Sequence, residues 1–222
     1  MVVAAVLALM SQAMVDPALL ERRVGERDYT FCFSFTDPFP NDKPSYDLAT
    51  VVRRTNVHLG RQRTIGAGSS VLVAGERDGY AAVFDPRTGN EGCVATSAIR
   101  IRRSVAVNDE HRWIGEWEKI GVRKVNKDSV SIGYGKGGKL RILGDATWKG
   151  LAEMPDDATN FGSIDSTAVI RSGAIELVES QGARCRVSFR LTDGYLIVAD
   201  RDAETCNGNN VTFSGVYRRV SR

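Results

Sequence analysis

From Ala49 to the last residue this chain runs in short apolar stretches separated by turn residues, and that pattern rules out most folds. Successive strand side chains point to opposite faces, so alternation at period two marks a strand buried on one side. Trp113, Gly115 and Trp117 share one face of a first strand, and Val130, Ile132 and Tyr134 share one face of a second. Leu140 and Ile142, then Ala146 and Trp148, follow the turn at Gly135 to Gly138. Cys185, Val187, Phe189 and Leu191 face one way while Arg184, Arg186, Ser188 and Arg190 face the other. Asp193-Gly194 suits a tight hairpin before Tyr195 to Ala199, and Val211 to Arg218 alternates again. No long amphipathic helix interrupts this half. The pattern predicts an all-β fold in which residues 113–222 form an antiparallel meander of about eight strands, a number suited to a closed barrel.

The half before it predicts a second, smaller barrel. Thr50 to Val52, Ser70 to Ala74 and Tyr80 to Phe84 are strand-like runs separated by Arg77-Asp78-Gly79 and by Asp85 to Asn90. Residues 102–112 lose the alternation and read as a linker. Ahead of the small barrel, residues 14–48 hold a short helix, opened by Asp16-Pro17 and closed by Gly25, and a lead-in strand with Phe31, Phe33 and Phe35 on one face. The apolar run Val2 to Met10, followed by small Ser11 and Ala13, predicts a signal peptide over residues 1–13, with a plain apolar N-terminal helix as the alternative. It is shorter than the roughly 20 apolar residues of a bilayer-spanning helix, and it lacks a preceding Lys or Arg, as a truncated start would.

The four cysteines divide two and two around residues 102–112. With an export signal, an even count predicts disulfides: Cys32 with Cys93 and Cys185 with Cys206, so that neither bridge joins the two halves. Four buried thiols in a cytosolic protein are the alternative. No C-x-x-C spacing occurs to suggest zinc or thiol exchange. The formal net charge of +3 comes from 30 Lys and Arg interleaved with 27 Asp and Glu, a balance that gives no footprint for nucleic acid.

Asn56-Val57, the Gly-led run Gly66 to Val73, Gly79-Tyr80 to Val83, and Gly92 to Ile99 together resemble a bacterial SH3-like domain over about residues 49–101. The resemblance implies a small barrel that recognises a peptide or cell-wall element. Two positions depart from it: His58-Leu59-Gly60-Arg61 replaces the family's Arg-Ser-Gly-Pro, and Cys93 replaces its closing aromatic. In residues 113–222, Gly115-Glu116-Trp117 on the first strand and Arg218 or Arg219 on the last resemble the calycin group of lipocalins and avidins. There the resemblance implies an arginine packed over the tryptophan at one end of the barrel. The closing run from Cys206 to Arg219 is similar to that of uncharacterised exported proteins of Gram-negative bacteria.

Chemistry is sparsely signalled. Neither His58 nor His111 has a credible nucleophile beside it, so no catalytic residue is assigned, nor any metal or cofactor. Asp200, Asp202, Glu204, Asn207 and Asn209 offer alternating oxygens, but without the spacing of a calcium loop they read as a hairpin loop held by side-chain turns, as do Asp156 and Asp157. Glu116, Glu118 and Asp165 are the carboxylates from which a hydrolytic pair could be drawn. Trp113, Trp117, Tyr134, Trp148 and Tyr195 are the candidate ligand-binding residues of a barrel mouth, with a self-filled core as the competing reading. Arg184, Arg186 and Arg190, with Lys136, Lys139 and Arg141, are either a basic docking face or a solvated one. These readings predict a periplasmic or secreted, non-enzymatic binding protein whose partner is a cell-wall element or envelope protein. An inhibitor of a lytic enzyme such as lysozyme and a small-ligand-binding barrel are the alternatives.

Overall fold

In the computed structural model, residues 46–57, 63–121, 128–149, 159–178, 186–201 and 211–220 are described. The readings of residues 1–45 lie outside them, as do Cys32, His58, Cys185 and Cys206. The described chain is all-β. Its first half holds β1 (Asp47–Val51), β2 (Thr55–Val57), β3 (Arg63–Ile65), β4 (Ser70–Arg77), β5 (Tyr80–Asp85), β6 (Asn90–Ala95) and, after a single 3-10 turn at Thr96–Ala98, β7 (Ile99–Arg102). Its second half holds β8 (Gly115–Lys119), β9 (Ser129–Tyr134), β10 (Leu140–Lys149), β11 (Thr159–Ala168), β12 (Ala174–Val178), β13 (Arg186–Thr192), β14 (Tyr195–Arg201) and β15 (Gly215–Arg219).

The first half folds into a five-stranded sheet in the order β6-β5-β4-β1-β7, with β2 and β3 as a separate hairpin. The β4–β5 turn is fixed by Asp78 and Gly79, at φ of 50° and 80°. Positive φ at both central residues matches the right-handed twist of the flanking strands, which is why Asp-Gly stands there. One face of this sheet, with Val51, Val71, Val73, Val83 and Val94, packs with Ile65 of the hairpin into a core of its own.

The second half is an eight-stranded antiparallel sheet in the order β11-β10-β9-β8-β15-β14-β13-β12, curled until β11 and β12 nearly close it. The turn that joins these two strands holds an isolated bridge, Arg171↔Ala174. The inward set of β13 is as the alternation predicts: Val187, Phe189 and Leu191 are buried, and Arg186 and Arg190 are exposed. Trp113 differs from expectation, since it ends a 3-10 turn (Glu110–Arg112) in a helical conformation ahead of β8.

Two further features concern residues 102–112 and the contact between the halves. Residues 102–112 are held at several points. Asp47, buried at the start of β1, accepts from Arg103 Nη1 (2.6 Å) and Ser104 N (2.7 Å), Val107 is buried in the barrel core, and Asn108 Oδ1 accepts from Gly173 N (2.8 Å). The halves also pack directly. Leu72, Ala74, Ala82, Phe84 and Cys93 on the second face of the small sheet meet Ile197 and Val216 on the outside of the barrel. Ile120, just after β8, and Tyr195 on β14 pack against this cluster as well. Arg102 bonds Asp193 (2.8 Å) near one barrel end, and at the other the Gly89 and Gly121 backbones touch, so that a Cβ on Gly89 would lie 2.5 Å from Gly121 Cα.

Candidate functional site

The barrel is plugged at the end where β8 begins. Trp117 is buried to 1% and donates from Nε1 to Trp113 O (3.0 Å), while Trp113, fully buried, donates from Nε1 to Val107 O (2.9 Å). Each indole N–H therefore finds a carbonyl, which removes the main cost of burying it. The Arg219 guanidinium lies 4.8 Å from the Trp117 ring centroid and donates to Arg112 O, tying the last strand to the 3-10 turn. Gly115 suits this approach: its φ of 149° is one that L side chains rarely adopt, and a Cβ there would sit 3.3 Å from Arg219 Nε, so the arginine would have to shift slightly. Nearby, Tyr134 is 62% exposed and its hydroxyl meets His111 Nδ1 at 2.8 Å.

At the opposite end two carboxylates are buried. Asp128 pairs with Lys119 Nζ (3.0 Å) and accepts from Thr147 N (3.0 Å). Asp200 accepts from Thr212 Oγ1 (2.7 Å), Phe213 N (2.7 Å) and the Ser214 hydroxyl, fastening residues 211–214 across the end of β14. Between them the Tyr217 hydroxyl donates to Phe213 O (2.7 Å). Burial, with Asp128 and Asp200 close by, pushes the Tyr217 phenol well above its ordinary value of 10.0. The raised value means that stability is unaffected below about pH 10 and is lost as pH rises beyond it, because the unfolded phenol ionises first. Tyr217→Phe is therefore expected to flatten the alkaline limb of a plot of melting midpoint against pH, while costing about 1–2 kcal/mol at neutral pH for the orphaned Phe213 carbonyl. An alkaline limb as steep as that of the wild type would show that another group controls it.

The barrel interior between these ends is occupied by protein. Trp113, Trp117, Phe189, Phe213 and Tyr217 are the largest of its buried side chains. The five aromatic residues read as a ligand set are accordingly dispersed. Trp113 and Trp117 meet in the plug, Tyr134 lies on the surface, and Tyr195 belongs to the contact between the halves. Trp148 is a β10 residue paired with Asn160, described by its backbone alone. Glu116 and Asp165 occupy one row across the barrel's outer face, Glu116–Ser131–Leu143–Asp165. Three strand spacings separate them, roughly 14 Å, beyond the reach of a hydrolytic carboxylate pair. Glu118 faces Arg218 on the same outer surface, and Asp165 is occupied by Arg141 at 3.2 Å.

Of the loop oxygens weighed for calcium, Asp200 alone is described, and its carboxylate is taken up by the bonds above. Arg186 and Arg190 sit on β13 while Lys136, Lys139 and Arg141 sit on or beside β10, which is not its neighbour, so these cations form no single face. Sequence reasoning missed the Asp128–Lys119 pair and the anchoring role of Asp200. The available signal was an acidic residue closing an apolar strand opposite Thr212 and Ser214. Comparison with protein-family models, curated proteins and solved structures finds no match to the chain. The fold and these two barrel ends thus define a class, a small five-stranded sheet docked on a filled eight-stranded barrel, and no family.

Proposed function

We propose that this chain is an exported, non-enzymatic binding protein of the cell envelope, in which the barrel is a scaffold and the small SH3-like sheet carries recognition. The filled barrel interior supports this reading most directly: with Trp113, Trp117, Phe189, Phe213 and Tyr217 packed inside, recognition falls to the surface. The stacking of Arg219 on Trp117 fits a calycin-like barrel, and the order of β4, β5, β6, the 3-10 turn and β7 fits an SH3-like one. Cys93 is buried and disulfide-bonded, which suits a periplasmic or secreted location. In this reading its partner is Cys32, and Cys185 pairs with Cys206.

The partner class is a cell-wall element or an envelope protein, and purified peptidoglycan tests the first. The full chain is expected to sediment with peptidoglycan well above the level of an unrelated β-barrel of similar charge. Retention equal to that control would remove the cell-wall reading.

A further inference from the structure

The small sheet presents an edge from which acidic residues are missing. Between Asp47 and Glu76, and again between Glu91 and Asp109, the sequence has no Asp or Glu, although 27 are spread over the 222 residues. Strand pairing brings these two acid-free stretches together. Thr50 on β1 lies opposite Arg100 on β7, Val52 N donates to Ala98 O (2.9 Å), and Arg53 Nη2 donates to Ser97 Oγ (2.8 Å). Arg53, Arg54 and Arg100 are exposed around Val52, itself 46% exposed. Farther along the same edge, Arg102 and Arg103 are paired with Asp193 and Asp47, but these three arginines meet no carboxylate among the described residues.

Among the described residues the backbone here is also unpaired on one side. β7 ends the order β6-β5-β4-β1-β7; it pairs with β1 on one side, and no described strand pairs with the other. An edge strand offers N–H and C=O groups to an extended polypeptide, which neither a sugar polymer nor a lipid surface can match. Its arginines repel a second copy of the same edge and attract carboxylates, selecting against self-association and for an acidic strand. We propose that an extended acidic segment of a partner polypeptide adds to β7, its backbone continuing the sheet and its alternate carboxylates reaching Arg100 and the Arg53–Arg54 pair. This names the partner's chemistry for the binding role proposed above and rests on that role.

A fluorescent peptide of alternating Glu and Val serves as the probe, with the full chain as receptor and anisotropy as the readout. Binding is expected at low salt and weakens as salt is added. The triple substitution Arg53→Ser, Arg54→Ser, Arg100→Thr is expected to weaken it about tenfold or more with the melting midpoint unchanged, since all three side chains are exposed. A peptide of equal charge with Pro in place of its central Val residues should bind as poorly, because Pro cannot donate to the ladder. Undiminished binding by the triple variant, equal binding of the Pro peptide, or no binding of either peptide would each overturn strand addition at β7. Peptidoglycan retention is read in a separate assay, so the broader reading can survive or fail independently.

Discussion

Trp117→Ala is expected to destabilise the protein by about 3–5 kcal/mol and to lower its melting midpoint by roughly 10 °C or more. Three losses coincide. The indole is buried to 1% at the plugged barrel end, so truncation leaves a cavity between Trp113 and the inward strand residues. Its N–H bond to Trp113 O disappears, leaving a buried carbonyl unpaired. Arg219 loses the ring it lies over, at a cost of about 0.5–2 kcal/mol depending on desolvation. Against a total stability of about 5–15 kcal/mol, the sum is a large fraction. Arg219→Met isolates the last contribution, keeping the packing while removing charge and donor, and is expected to cost about 1–2 kcal/mol. Chemical denaturation of both variants checks the ranking. A Trp117→Ala midpoint equal to that of the wild type would mean that β8 is not anchored through its indole.

What the sequence disclosed and what it withheld follow from the range of the interactions involved. Alternation along β13 and the Asp78-Gly79 and Asp193-Gly194 turns are local properties, and the structure has each where the residues put it, with Asp193 and Gly194 at φ of 47° and 86°. Residues 102–112 looked like a linker because their order comes from remote partners: Asp47 for Ser104, Gly173 for Asn108, the barrel core for Val107. No local pattern encodes those contacts. The aromatic set was ambiguous for another reason, since a Trp at an inward position serves a filled core and a ligand cavity equally, and only the packing of Phe189, Phe213 and Tyr217 around Trp117 distinguishes them. Asp200 was legible as a loop-holding carboxylate but its partners were not, because Thr212 and Phe213 lie more than ten residues away. The contact between the halves did leave a trace. Tyr195 to Ala199, Val71 to Ala74 and Tyr80 to Phe84 are continuous apolar runs rather than alternating ones, as expected of strands buried on both faces.

That contact yields the second large effect. Ile197 points outward from β14 yet is buried to 1%, because Leu72, Ala82 and Phe84 of the small sheet cover it. Ile197→Asp would place a carboxylate in this apolar layer with no described cation among the cluster residues to receive it. Loss of the buried side chain alone costs about 2–5 kcal/mol, and an uncompensated charge adds further cost unless the layer opens to water. The barrel's own interior does not use Ile197, since Leu196 and Val198 are its neighbours that face inward. Relief is therefore expected by undocking: the small sheet separates, exposing Leu72 and Phe84, while the barrel keeps its strands. The wild type is expected to unfold in one calorimetric transition, and the variant in two, with the barrel transition the higher. Dye binding to the newly exposed apolar face should rise below the first of them. Ile197→Val, which deletes one methylene and adds no charge, should cost only about 0.5–1.5 kcal/mol and keep a single transition. A single transition in Ile197→Asp at the wild-type midpoint would mean that the apolar layer contributes nothing to the union of the two halves.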